Sequence, residues 1–313
     1  MSLSKQLKTE MFFWKEMLRY GYWHPKYWQR YFKNKFIYHR LIDKIEAVTY
    51  QPDPDFELHT LICKKDIWML IWSLKSFLFF SGLNPRIVLH DDGTLDDKSI
   101  ETIERIFPMA NILKRAEAEQ KLNSIPEYKG IIKKFREQGH IMTIKLVDVL
   151  FLSSGKYVMT LDSDILFFNT PQLIIDFIRG RLSYDAMISG IPGQGGFQIA
   201  VEPSYTEKNS LDSSRLSSMN AGLVILRKDA LSYAKLMEYF ENVKLPPEDY
   251  FVEMTGWCCL VGQMNYLLLP PDLYILKGKV GSQTIMKHFT SPRRHEMFAY
   301  GIDLVKLKMK NGE

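Results

Sequence analysis

Cysteine is scarce in this chain: Cys63 stands alone and Cys258 and Cys259 are adjacent, three in 313 residues. Three thiols build neither a disulfide framework nor a Cys-rich zinc site, and they suit a reducing, cytoplasmic compartment. Long apolar runs are missing as well. The longest, Ile67 to Leu83, is broken by Lys75 and falls short of the roughly 20 apolar residues of a membrane span, so a buried helix is expected there. Lys5, Lys8 and Glu10 precede any apolar run and no small-residue cleavage site follows, so no secretory signal is read. Proline (14) and glycine (18) are few, and hydrophobic residues make up 46%. That balance excludes a collagenous, low-complexity or disordered chain. No internal repeat is found. Gly190, Gly193, Gly195 and Gly196 are followed by no Gly-Lys-Ser/Thr, which excludes a phosphate-binding P-loop; the polar stretch Gly190 to Ser218 reads as a lid, an acceptor-binding loop or a surface insertion.

What the chain does have is uneven charge. Residues 1–45 hold ten Lys/Arg against Glu10, Glu16 and Asp43, whereas the whole chain nets only +5. The same segment is crowded with aromatics, so residues 1–50 are expected to be a basic-aromatic helical arm and 51–313 the main domain. Pro25 opens a helix running to about Lys44. On it Lys26, Arg30, Lys33, Arg40 and Lys44 share one face, and Tyr27, Trp28, Tyr31, Phe32, Phe36 and Tyr38 the other. Such a helix packs its rings on the main domain, or lies on an anionic membrane surface, or binds nucleic acid. No nucleic-acid-binding motif supports the last, and no nucleic-acid partner is expected. If the arm meets lipid, the protein is peripheral on the inner face of a membrane.

After Asp53, short apolar runs alternate with helical patterns. The expected fold class is α/β, a mixed, mostly parallel sheet with flanking helices and a Rossmann-like nucleotide-binding half. Strands are read at His59–Cys63, Arg86–His90, Tyr157–Leu161, Asp185–Ser189, Met219–Leu226, Leu273–Leu276 and Thr284–Phe289. Helices are read at Asp66–Ser81, Asp96–Phe107, Ile141–Leu152, Asp229–Glu241, Asp249–Leu268 and Arg294–Lys306. Residues 110–139 give no clear pattern.

The chemistry concentrates where the strand Tyr157–Leu161 runs into Asp162-Ser163-Asp164. Ligands of open α/β sheets bind beyond the carboxyl ends of strands, and two carboxylates there demand a counter-ion. An all-oxygen site completed by phosphate oxygens suits Mg²⁺ or Mn²⁺; the plain alternative is an Asp pair in a strand-to-helix turn before Asn169-Thr170-Pro171.

Lys145-Leu146-Val147-Asp148 through Tyr157 to Leu166, Met219-Asn220-Ala221-Gly222 with its following apolar strand, and Met286-Lys287-His288-Phe289-Thr290 occur in this order. Together they resemble the helix, Asp-x-Asp strand, Asn-Ala-Gly strand and late histidine of the metal-dependent GT-A glycosyltransferases, the family-8-like group in particular. The resemblance covers roughly residues 55–305. It implies a GT-A fold and a glycosyltransferase, hexosyltransferase-like, moving a sugar from a nucleotide donor, a UDP-sugar by the family's habit, to a hydroxyl of a saccharide or lipid-linked acceptor. Asp162, Asp164 and His288 would hold Mn²⁺ or Mg²⁺. Lys287, Arg293 and Arg294 are the nearest cations for the donor phosphates. His59 and Asp91 or Asp92 lie where such enzymes hold base and ribose, Lys145 is placed for phosphates or sugar, Asn220 for the donor sugar, and Gly222 for close backbone approach. Where family 8 carries Asp-Gln-Asp on a late helix, this chain has Gly262-Gln263-Met264. Gln263 is therefore the candidate beside the anomeric carbon of a retaining enzyme, and Glu253 or Asp249 the candidate base of an inverting one. A phosphatase using the Asp-x-Asp pair and a non-catalytic sugar-nucleotide or membrane-binding module are the alternatives.

Overall fold

The computed structural model describes residues 3–37, 42–191 and 197–312. The chain opens with α1 (Leu3–Arg19) and α2 (Pro25–Phe32), the latter prolonged by a wider π turn over Lys33–Ile37. Then come β1 (Asp53–Ile62), α3 (Ile67–Ser81), β2 (Pro85–Asp91), α4 (Asp97–Ile106), β3 (Asn111–Leu113), α5 (Arg115–Asn123), α6 (Gly130–Gln138), α7 (Thr143–Leu152) and β4 (Tyr157–Leu161). The second half supplies β5 (Ile165–Phe167), α8 (Gln172–Ile178), β6 (Ala186–Gly190), α9 (Pro203–Lys208), α10 (Ser213–Leu216), β7 (Met219–Arg227), α11 (Tyr233–Asn242) and α12 (Phe251–Gly262). It ends with β8 (Tyr266–Leu269), β9 (Tyr274–Ile275), β10 (Met286–His288), α13 (Arg294–Glu296) and α14 (Ile302–Asn311).

Seven strands make one sheet in the order β3-β2-β1-β4-β7-β6-β8. Its pairs are parallel except those of β7, which runs antiparallel to both β4 and β6. A small second sheet, β5-β10-β9, stands at the carboxyl end of β4, with β10 antiparallel to β5. This is the mixed, mostly parallel α/β architecture expected from the alternation of strand and helix patterns.

Both faces of the large sheet are covered, which is why β4 and β6 read as continuous apolar runs rather than alternating ones. One face packs α3, α4 and α8 through residues such as Leu70, Leu74, Phe77, Ile103 and Phe177. The other packs α7, α11 and α12 through Leu146, Val149, Tyr239 and Trp257. α3 is apolar all round because its second side is covered too: Trp68, Met69 and Trp72 join Met17, Tyr31, Phe289, Met297 and Ile302 in a third cluster. Gly82, with φ of 60°, ends α3 by donating its N–H to the Leu78 carbonyl. Among the described residues no helix is long and apolar enough to cross a membrane.

That third cluster is where the arm docks. Tyr31 is fully buried, the Asn34 amide donates to the Phe298 carbonyl, and Tyr22 donates to Glu296. The expected division of α2 into one basic and one aromatic face holds only in part: Tyr27, Trp28 and Tyr31 turn toward the body, while Phe32 and Phe36 are exposed beside Lys26, Arg30 and Lys33. Tyr38 and Arg40 lie outside the described residues, as do Gly193, Gly195 and Gly196.

Several boundaries differ, two of them around the site's far edge for evident physical reasons. The helix expected over 249–268 stops at Gly262, and residues 266–269 form β8 instead. Asn265 is tied to Asp185 by two hydrogen bonds, which lays the following apolar run along β6. The loop expected over 190–218 contains α9 and α10.

Candidate active site

Asp162-Ser163-Asp164 is a tight turn pinned on both sides. The Asp162 N–H donates to the Gly222 carbonyl of β7 at 2.8 Å, and the Phe289 N–H donates to the Asp164 carbonyl at 2.8 Å. β4 delivers the turn, β7 and β10 hold it, and the two carboxylates face a cavity of about 710 Å³ at the carboxyl ends of β1 and β4. At one end that cavity is lined by Leu61, Cys63, Asp66 and Asp92, and at the other by His140, Phe197, Tyr250 and Phe251. Asp162, Asp164, His288, Lys145, Asn220 and Glu253 line it as well.

Asp162, Asp164 and His288 converge: their ligand atoms all lie within 4.8 Å of one another. The His288 ring is oriented by a chain of hydrogen bonds. The Asn220 Oδ1 accepts the Gly222 N–H at 3.0 Å, which identifies that atom as the oxygen, so His288 Nδ1, 2.9 Å away, must donate to it. Nε2 then faces Asp164 Oδ1 at 3.1 Å and Asp162 Oδ2 at 3.7 Å, the disposition of an imidazole held for metal ligation by a second hydrogen bond. Gly222 is required here for space. A Cβ at this position would stand 2.3 Å from His288 Cε1.

Cations flank the carboxylates. Lys145, fully buried on α7, donates to Asp162 Oδ1 at 2.8 Å and to the Ala221 carbonyl at 3.1 Å, and its ammonium stands 2.9 Å from Glu253. Burial works against its charge, but Asp162 and Glu253 together lift it above the usual lysine range. Glu253 itself is pushed up to about 7, chiefly by burial, with Asp162 adding and Lys145 opposing. On the other side Arg294 donates to Asp164 Oδ2 at 2.7 Å and to Asp66 at 3.3 Å. Burial would raise Asp164, yet the Arg294 guanidinium and then His288 hold its carboxyl well below the ordinary range.

Of the residues singled out in the sequence, Asp162, Asp164, His288, Lys145, Asn220, Gly222, Glu253, Arg294 and Asp92 are thus brought to one cavity. Six are not. β1 begins at Asp53 rather than near His59, so His59 is mid-strand and buried between Glu57 and His90. Asp91 spends its carboxylate on the Gly93 and Leu95 N–H groups of its turn. Lys287 points to the opposite side of β10 from His288, as strand alternation requires, and is buried against Glu296. Arg293 pairs with Glu296 at 2.6 Å and lies over the Tyr20 ring. Asp249 accepts the Phe251 N–H at the start of α12. Gln263 sits ten residues beyond Glu253, about 15 Å along the same helix, donating to Tyr205.

Two features escape the sequence: Asp66, which there is only the first residue of a helix, and the aromatic end of the cavity. Phe197 and Phe251 stack at 5.9 Å, and Tyr250, 54% exposed, meets His140 edge-on. Adjacent Tyr250-Phe251 at a helix start was the available signal.

No family model matches the chain, and no curated protein matches it. Solved structures do. The WbbM bifunctional glycosyltransferase aligns with 85% of this chain and 53% of its own, at 9% identity and a TM-score of 0.53. The galactosyltransferase LgtC, solved with donor and acceptor sugar analogs, aligns with 82% of this chain and 96% of its own, at 9% identity and a TM-score of 0.50. Mouse xyloside xylosyltransferase 1 aligns over 76% and 99% at 10% identity, with a TM-score of 0.49. The first two likenesses establish the fold: this is the GT-A glycosyltransferase architecture.

Proposed function

We propose that the chain is a divalent-metal-dependent glycosyltransferase that moves a sugar from a nucleoside diphosphate sugar to an acceptor hydroxyl. The observation that carries the reading is the convergence of Asp162, Asp164 and His288 at the carboxyl end of β4, inside a cavity of the GT-A fold. Two carboxylates and an imidazole whose Nδ1 is already engaged form a donor set that fits Mn²⁺ or Mg²⁺. When bound there, such an ion would neutralise charge on the departing diphosphate. The chain's own groups do the rest. Lys145, buried, and Arg294, partly buried, are each held by carboxylates and add fixed positive charge on either side of the leaving group.

The two ends of the cavity suit the two substrates. Asp92, beyond β2, lines the cavity with one carboxylate oxygen accepting from Thr94, and its other oxygen is the candidate for a ribose hydroxyl; a uridine nucleotide is the donor suggested by the motif resemblance. The stacked rings of Phe197 and Phe251 with exposed Tyr250 suit the apolar face of a pyranose, which makes a saccharide the preferred acceptor. Glu253 lines the cavity between, the one carboxylate of the three catalytic candidates that does so.

The test is calorimetric titration with uridine diphosphate in the presence and absence of Mn²⁺, followed by a panel of uridine diphosphate sugars assayed for slow donor hydrolysis. Metal-dependent nucleotide binding is expected. Failure to bind uridine, guanosine or any other nucleoside diphosphate with metal present would overturn the reading.

A further inference from the structure

Among the described residues, nine of the fourteen exposed large apolar side chains belong to residues 7–37. They are not scattered. With Leu7 of α1 set at 0° and 100° per residue, Leu18, Met11 and Phe12 and the exposed cations Lys8, Lys15 and Arg19 all fall within about 140°. Phe13 and Met17, on the far side, are buried. The face continues onto the second helix: Trp14 meets Phe32 edge-on at 6.2 Å, and Phe32 stacks on Phe36 at 5.8 Å. Trp23, in the turn between the helices, is 69% exposed.

The charge on this face has one sign. The two acids of residues 3–37 are turned inward: Glu10 pairs with Lys35 at 2.6 Å and accepts from Tyr31, and Glu16 is buried. Lys26, Arg30 and Lys33 are exposed along the second helix. Lys33 also stands near Lys306 of α14, whose ammonium is held below its usual range mainly by burial, with Asp303 of the same helix opposing.

We infer that the outer face of α1 and α2 is a docking surface for an anionic lipid bilayer. Large rings amid Lys and Arg, with no outward acid, match an interface where apolar groups sink to the headgroup level and cations meet lipid phosphates. A second copy of the chain would set cation against cation on this same face. The face is rigid before it binds, because Tyr31, Asn34 and Tyr22 fasten the helices to the body. The body is thereby held at one orientation to the surface. Arg293 lies over the Tyr20 ring on the body side of α1, and its neighbours Ser291, Pro292 and Arg294 line the cavity, so the arm is joined directly to the cavity rim. This inference does not depend on the glycosyl-transfer reading.

Flotation of the full chain with phosphatidylcholine vesicles, alone or mixed with phosphatidylglycerol, tests it. Binding is expected only with the anionic mixture, reversed by high salt. Lys8→Glu with Lys15→Glu should weaken it at least about tenfold, and Phe12→Ser with Trp23→Ser should abolish it. Because all four side chains are exposed, melting temperature and nucleotide titration should stay at wild-type values, which separates a failed membrane surface from a failed donor site. No binding to anionic vesicles, binding unchanged in both variants, or a concentration-dependent dimer in sedimentation that Phe12→Ser dissolves would each overturn the inference.

Discussion

Gly222→Ala adds one methyl group at the most crowded point of the site. The new Cβ would stand 2.3 Å from His288 Cε1, 2.5 Å from Nδ1 and 2.9 Å from Asn220 Oδ1, where ordinary contact begins at 3.4 Å. Gly222 has no positive φ, so alanine suffers no backbone penalty and the effect is steric alone. Relief requires the ring to retreat by about 1 Å, which stretches the 2.9 Å bond to Asn220 beyond hydrogen-bonding range. The ring cannot simply slide, because Asp164 stands 3.1 Å from Nε2. Overpacking of this kind costs about 1–3 kcal/mol. Loss of the bond that orients a ligating histidine lowers metal affinity about 10–100-fold. The assay pairs Mn²⁺ titration, followed calorimetrically or by loss of the free-ion paramagnetic resonance signal, with thermal denaturation of the metal-free protein. Wild-type Mn²⁺ affinity with an unchanged melting temperature would show that His288 is not held against Gly222, and the ligand set would have to be sought elsewhere.

Asp164→Asn keeps the shape of the turn and removes a charge; circular dichroism should stay native while Mn²⁺-dependent donor hydrolysis is lost, and persistence of metal-dependent activity would place the site elsewhere. For Glu253 as a base held near 7, turnover should fall as pH drops through about 7, and Glu253→Gln should lower kcat by roughly 10²–10⁴ and remove that limb; a profile unaltered by the substitution would refute the assignment. His59, depressed to about 4 mainly by burial, binds its proton less readily folded than unfolded. Its contribution is therefore complete above about 6.5 and is lost as pH falls toward 4, a change on the order of 3 kcal/mol. Chemical denaturation between pH 7 and pH 4 should show that decline in the wild type and a flatter one in His59→Gln.

The backbone of the site was legible because its signals are local. Leu161 ends a buried strand and Asp162 follows at once, and no distant residue is needed to see that the carboxylates lie at a sheet's end. His288 and Asn220 were found by motif order. What eluded the sequence was which way side chains point. Lys287 and His288 are neighbours in the chain, yet pleating alone sends one to the cavity and buries the other, and nothing local says which. His59 was misplaced because the early residues of β1 are exposed and polar, Asp53-Pro54-Asp55, and hide the strand's true start. The end of α12 was hidden likewise: Tyr266 to Leu269 is apolar enough for helix or strand, and the edge offered by β6 decides. In the arm, Tyr31 and Phe32 are equivalent by composition, and only the groove beside Trp68 and Met297 selects Tyr31 for burial.

The polar knot behind β10 restricts how this protein is divided by design or by descent. Lys287 bonds Glu296 and Tyr300, and Glu296 accepts from Tyr22, so the loop after α1 and the strand bearing His288 share one buried set of charges. A chimaera cut near residue 50, the obvious seam in the sequence, would leave Glu296 without Tyr22, though still bonded to Tyr300, and open the aromatic cluster to water. The arm and the segment from Lys287 to Tyr300 form a single inheritable unit split across both ends of the chain. Replacements at Tyr22, Lys287 and Glu296 are expected to arrive together, and grafting this arm onto another GT-A body would succeed only with its late strand carried along.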